Sequence, residues 1–333
     1  MFLYLILYLL LIFIGLFIVI KAADYLVEGA SSIAAILKIS PLVIGLTVVA
    51  FGTSSPELVV SIISALSDST SLAFGNVIGS SIFNIAVILA LSSIIYPLKI
   101  HSSTVWKEIP MSLVGATAVF LLGVGHIIDG EVSILEITNN HTAIGRLTLS
   151  NGIILLIFFI IFIYYTFGIA GKQTGIKNDI KNIPFKKSLF HILLGLVGLV
   201  IGSRIIVKNA VDLANFFNLG EKFIGLTIIA IGTSLPELAA SVMAAYKKNS
   251  DIAVGNIVGS NIFNTFFILG ITALVKPVPI FTKDLVDLGV MVFVTSFLFL
   301  SYFLFHRKYL DRWEGIILIT IYFFYLIYLF INV

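Results

Sequence analysis

The 333-residue sequence contains no cysteine, which excludes disulfides, thiol catalysis and thiolate-bound metals. Charge is scarce as well. Only 11% of residues are charged against 59% that are hydrophobic, a balance that excludes a soluble globular chain. The net charge of +3 is small for this length, and with no basic block a nucleic-acid partner is not expected. The five histidines (His101, His126, His141, His191 and His306) lie at the ends of apolar runs or between them and do not cluster, so no transition-metal site is expected. Ser54 lies near Glu57, but no Ser/His or Ser/Lys dyad, HExxH or G-x-G-D pattern is there to activate a nucleophile or water. An enzyme is therefore disfavoured, and no catalytic residue or cofactor is expected. The first 20 residues have neither a basic leading region nor an A-x-A cleavage pattern, so they read as a retained span; no lipidation signal is evident.

What the chain does have is long apolar runs separated by short polar ones. Alternating ten-residue strands would not produce runs of about 18–22 apolar residues, so a β-barrel is disfavoured and an all-α polytopic membrane protein is predicted. The runs place ten transmembrane helices. The first five are Phe2–Ser32, Pro41–Ser67, Leu72–Ile95, Val105–Ile127 and Ser150–Ile169. The second five are Ser188–Phe216, Phe223–Tyr246, Ile252–Val275, Leu285–Phe305 and Trp313–Ile331. With the N-terminus outside, thirteen Lys and Arg fall in inside loops, from Lys38 to Arg312, and only Arg146, Lys222, Lys276 and Lys283 in outside ones. The positive-inside rule then puts both termini outside and the linker 171–187 in the cytoplasm, in the cell membrane. That linker is polar, short and lysine-rich, a hinge between the halves and not a domain. The segment Ile128–Leu149 is the only sizeable extramembrane insertion, and its Asn140-His141-Thr142 matches a glycosylation sequon, a triplet common by chance.

The chain is organised around one stretch that it contains twice. Gly45–Ala65 (GLTVVAFGTSSPELVVSIISA) returns 180 residues later as Gly225–Ala245 (GLTIIAIGTSLPELAASVMAA). The same displacement relates Gly75–Ile82 (GNVIGSSI) to Gly255–Ile262 (GNIVGSNI) and Pro97 to Pro277. An odd number of spans per copy turns a duplication upside down in the membrane. Two inverted five-helix repeats follow, 1–170 with its motif at 45–91 and 188–333 with its motif at 225–271.

Within each Gly-Thr-Ser-x-Pro-Glu, the proline lacks an N–H and must kink or break the helix around Gly52–Ser55. Carbonyls near Ala50, Gly52 and Thr53 are expected to lose their helical partners there, which a bilayer tolerates only beside protein or a polar cavity. Those carbonyls, the hydroxyls and Glu57 form an all-oxygen cluster, and the second copy brings Thr233, Ser234 and Glu237. The other motif adds Asn76, Ser80, Ser81 and Asn84, matched by Asn256, Ser260, Asn261 and Asn264; Gly75, Gly79, Gly255 and Gly259 supply a small-residue ridge for close packing. Two carboxylates among neutral oxygens suit a hard cation, calcium before magnesium, with sodium and protons able to compete for the same oxygens. A single Gly-Pro kink with bonded hydroxyls is often structural. A membrane-embedded glutamate costs at least about 2.5–3.5 kcal/mol, and two at symmetric positions are poorly explained that way. For Asn84 and Asn264, interhelical hydrogen bonding is a serious rival to a place among the ligands. Asp24 and Glu28 correspond to Arg204 and Lys208, opposite in sign, and read as interfacial anchors or cross-helix pairs.

At these residues the sequence resembles the cation/calcium exchanger superfamily, specifically the sodium/calcium exchanger branch and its prokaryotic relatives. The shared motifs are G-T-S-x-P-E at 52–57 and 232–237 and G-N-x-x-G-S-x-x-x-N at 75–84 and 255–264. The resemblance spans essentially the whole chain. It implies that Glu57 and Glu237 bridge a Ca2+ site and neighbouring Na+ sites, with Thr53 and Thr233 giving carbonyls to Ca2+. It further implies that Ala50 and Ala230 carbonyls and the Ser54, Ser234, Ser80 and Ser260 hydroxyls complete the Na+ sites, and that Asn84 and Asn264 line the middle. The first and sixth helices would slide as a pair over the other eight. Many relatives carry an aspartate where this chain has Asn264, so only two carboxylates remain in the centre, which argues against potassium co-transport. Proton-coupled relatives usually show G-N-A-x-E in the first motif, so this chain's G-T-S-x-P-E favours sodium. The expected function is a Ca2+/Na+ antiporter, monomeric in the bilayer. Its alternatives are a Ca2+/H+ antiporter on the same scaffold and a channel.

Overall fold

The structure, a computed structural model, describes residues 2–67, 69–125, 143–169, 183–216, 230–304 and 309–332. The linker 171–187 up to residue 182, the sequon and most of the insertion at 128–149 lie outside the described residues; the end of the linker is helical from Phe185, three residues before the expected Ser188. The first helix, α1 (Phe2–Leu37), runs one turn past the expected Ser32 because Ala34-Ala35-Ile36-Leu37 continue a strong helix-forming run. It ends at Lys38, whose φ of 55° turns the chain so that Ile39 N–H reaches Ala34 O at 3.0 Å.

Next comes a broken span, α2 (Pro41–Thr53) and α3 (Ser55–Leu66), bent by 45°. Then follow α4 (Thr70–Ile95), α5 (Ser102–Trp106), α6 (Glu108–Gly123) and α7 (Leu149–Ile169). The remainder is α8 (Phe185–Phe216), α9 (Ala230–Thr233), α10 (Leu235–Tyr246), α11 (Ser250–Val275), α12 (Asp284–Leu304) and α13 (Arg312–Asn332). Among the described residues eight helices are long and apolar enough to cross a membrane, and the α2/α3 pair makes a ninth. The expected span Phe223–Tyr246 is described only from Ala230.

Burial sorts these helices into shells. In α4 and α11, 72% and 83% of the apolar stretch is buried, against 17% for α1 and α13. The polar, glycine-containing α4 and α11 therefore form the centre. The Phe- and Ile-rich helices turn side chains such as Phe13, Phe17, Tyr164 and Phe324 outward, as a lipid-facing surface requires.

The pair α1 and α8 packs closely and antiparallel. Gly15 meets Gly202 and Ile206, whereas Gly29 meets Ser188 and His191. A Cβ on Gly195 would stand 2.7 Å from Leu26 Cβ and 2.8 Å from Ala22 O, so this approach requires glycine.

Two short antiparallel ladders sit where the sequence suggested only loops. β1 (Leu98–Lys99) pairs with β4 (Tyr309–Leu310), and β2 (Ala143–Leu147) pairs with β3 (Val278–Phe281). Each joins the two halves of the chain. They amount to two caps on a helical fold.

Candidate ion-binding site

Proline places the bends. Pro56 and Pro236 stand in the first turns of α3 and α10, where their missing N–H is tolerated, and the preceding serines leave helical geometry in the same way. Ser54 has φ −82°, ψ 5° and Ser234 has φ −90°, ψ 8°. Each bend puts its glutamate in the first turn of the following helix, beside the positive end of the helix dipole. Only part of the expected loss of backbone bonds occurs. Ala50 O still accepts from Ser54 N–H at 2.9 Å, because its helical donor lies two residues before the proline and keeps its N–H. Gly52 O loses the donor that residue 56 would supply, because Pro56 has no N–H.

The two bends interlock. Ser54 Oγ donates to Glu237 Oε1 at 2.8 Å, and Ser234 Oγ donates to Glu57 Oε1 at 3.3 Å while its oxygen lies 3.1 Å from the Ser80 hydroxyl, which can donate to it. Each serine thus holds the carboxylate of the other repeat. Thr53, Ser54, Glu57, Ser80, Asn84, Ser234, Glu237, Ser260 and Asn264 are all buried, as is Ala50. Thr233 is half-buried and lines a cavity of ≈ 400 Å³ together with Pro56, Arg204 and Lys208. Ala230 begins the described part of its helix, so its carbonyl's surroundings lie partly outside the described residues.

Asparagines brace the bends. Asn256 Nδ2 donates to Ser241 Oγ at 2.9 Å and to Glu237 O at 3.5 Å, while its Oδ1 accepts from Thr53 Oγ1 at 3.1 Å. Asn76 repeats this, donating to Ser61 Oγ and Glu57 O and accepting from Thr233 Oγ1, each at 3.4 Å. Ser61 and Ser241 escaped sequence reasoning, although they too are matched at a displacement of 180. Asn84 opens one π-helical turn (Asn84–Leu89) and Asn264 lies in another (Phe263–Ile268), the wide backbone often found at functional sites. The expected ridge is seen for Gly255 and Gly259: a Cβ on either would come within 2.8 Å of Leu42 O or 2.7 Å of Leu46 O. The corresponding neighbours of Gly75 and Gly79, residues 222 and 226, lie outside the described residues.

Five buried oxygens of the motif residues have no hydrogen-bond partner among the described residues: Glu57 Oε2, Glu237 Oε2, Asn84 Oδ1, Asn264 Oδ1 and Ser260 Oγ. Among the described residues no Lys, Arg or His pairs with either glutamate. Charged groups meet partners elsewhere: Asp24 pairs with Lys247, and Glu28 Oε2 lies 3.5 Å from His191 Nδ1, both as cross-helix contacts. No group of three or more His, Asp or Glu gathers among the described residues. Buried, unpaired carboxylate oxygens are costly unless something positive fills the space between them, and neutral oxygens around them are what a hard cation uses.

The model of the family described as "Sodium/calcium exchanger protein" matches residues 7–168 and 187–331, including both bends. The chain belongs to the sodium/calcium exchanger family. Among its relatives, the inner membrane protein YrbG of Escherichia coli is 35% identical, over 80% of this chain and 79% of that protein. The sodium/calcium exchanger MaX1 of Methanosarcina acetivorans is 30% identical, over 96% of this chain and 98% of that protein. The solved structure of the sodium–calcium exchanger NCX_Mj soaked with Na+ and Ca2+ superposes with a TM-score of 0.79 at 29% identity, covering 96% of this chain and 97% of that one. As a member of this family the chain is a multi-pass membrane protein, and its relatives are transporters.

Proposed function

We propose that the chain is a secondary active antiporter that exchanges Ca2+ for Na+ across the cell membrane by alternating access, without covalent chemistry. The observation that carries this reading is the set of five buried oxygens left unpartnered among the described residues, two from the Glu57 and Glu237 carboxylates and three from Asn84, Asn264 and Ser260. Glu57 and Glu237 neutralise the divalent ion. Thr53 and Thr233 contribute carbonyls to it, Asn84 and Asn264 line the middle, and the Ala50, Ala230, Ser54, Ser234, Ser80 and Ser260 oxygens complete flanking Na+ positions. Sodium and calcium share the glutamates, so loading one ion displaces the other.

Ten spans in two inverted halves, 1–170 and 188–333, carry the site, with the linker 171–187 cytoplasmic and both termini outside. The antiparallel run of α1 against α8, helices related by the repeat, supports the inversion. These two helices move as a pair to expose the site to either side, and a monomer suffices for transport.

The test is uptake of radiolabelled calcium into proteoliposomes loaded with sodium, potassium or choline at fixed pH, with and without an imposed pH gradient. Uptake from sodium-loaded vesicles alone is expected. Uptake driven by protons and indifferent to sodium would make the chain a Ca2+/H+ antiporter, and no uptake would remove calcium as the substrate.

A further inference from the structure

The two motif asparagines at the centre of the site are not held alike. Asn84 Nδ2 donates to Asn261 Oδ1 at 2.9 Å, and Asn261 Nδ2 donates to Ser81 O at 3.1 Å. The residue 180 positions before Asn261 is Ser81, and its hydroxyl donates to Val77 O at 2.8 Å within its own helix. No Asn264–Ser81 hydrogen bond is formed among the described residues, so the second half holds Asn84 with no reciprocal grip on Asn264.

The sense of this relay follows from one atom that cannot be reversed. Ser81 O is a backbone carbonyl and only accepts, so the Asn261 atom facing it must be the amide nitrogen. Asn261 then turns its oxygen toward Asn84, and Asn84 must answer with its own nitrogen. The remaining Asn84 atom, Oδ1, is left buried and without a partner among the described residues, one turn of α4 beyond Ser80, which meets Ser234 beside Glu57. For a cation the distinction is decisive: the oxygen end of an amide attracts it, whereas the N–H end repels it.

We propose that Asn261 is a positioning residue that fixes Asn84 with its side-chain oxygen toward the ion, making Asn84 a preorganised neutral ligand while Asn264 stays unconstrained. This rests on the reading of the cluster as a Ca2+ site. It also makes the site asymmetric although the repeat is symmetric.

The test is a double-mutant cycle on calcium uptake by sodium-loaded proteoliposomes. Asn261→Ser installs the residue of the first half, and Asn261→Leu serves as a second, isosteric variant should the serine form fold poorly. Losing the orientation is expected to raise the calcium KM about two- to tenfold, the range of one hydrogen bond, with maximal rate little changed. In an Asn84→Ala background the same substitution should have no effect on KM. An equal rise in both backgrounds, or no rise in either, would overturn the positioning role. Absence of uptake by the unmodified protein would instead overturn the calcium reading beneath it, so the two failures are distinguishable.

Discussion

Replacing Glu57 or Glu237 by glutamine keeps the shape of the side chain and removes one unit of charge from a site that has two. A carboxylate oxygen about 2.4 Å from a divalent cation, at an effective dielectric of about 20, attracts it by about 14 kcal/mol. Desolvating the ion and the carboxylate takes back several kcal/mol each, leaving a net loss of about 4–6 kcal/mol, or about a thousand- to twenty-thousand-fold in affinity. Among the described residues no Lys, Arg or His pairs with the lost carboxylate, and neither position is exposed beyond 1% to let water compensate. Initial rates of radiolabelled calcium uptake should therefore fall to background in Glu57→Gln and in Glu237→Gln alike. The fold should survive, because glutamine can still accept from Ser234 Oγ or Ser54 Oγ, and a buried carboxylate with an unpartnered oxygen has been removed. Melting in ion-free detergent is expected at the same temperature as the unmodified protein or higher. Calcium uptake within tenfold of the unmodified rate in either variant would refute the assignment of both glutamates as ligands.

Two further outcomes test the scaffold. Gly195→Leu forces a side chain against Leu26 and Ala22 O at the α1/α8 contact; it should destabilise the protein by about 1–3 kcal/mol in thermal melts and slow exchange, whereas equal stability would mean that the two helices do not need this approach. His101, outside the spans, forms a 3.2 Å pair with Asp251, and that hydrogen bond raises the imidazole above its ordinary pKa of 6.5. A raised folded pKa stabilises fully below the unfolded value and loses its contribution as pH climbs through the folded one. The melting advantage over Asp251→Asn should accordingly be present in mild acid and vanish toward alkaline pH, and solvent screening of this partly exposed pair keeps it below about 1 kcal/mol. An advantage that grows with pH would contradict the pairing.

The sequence by itself determined the membrane class, the helical content, the repeat and the two breaks at Pro56 and Pro236. Each of these follows from local chemistry: apolar length, a missing N–H, a spacing repeated at one displacement. It also singled out Glu57, Glu237 and their serines, because a charge beside a helix breaker in an apolar run has few structural uses. Only the tertiary structure decided which groups meet. The crossing of Ser54 to Glu237 and of Ser234 to Glu57 joins residues 183 and 177 positions apart, and no local pattern encodes that exchange. The same holds for Ala50, whose carbonyl keeps its partner because the chain stays helical up to Ser54 N–H, its donor. It holds most clearly for Asn261. A repeat comparison sees there only a serine changed to asparagine, whereas packing sets its amide between a backbone carbonyl and Asn84, where its orientation acquires a consequence for the ion.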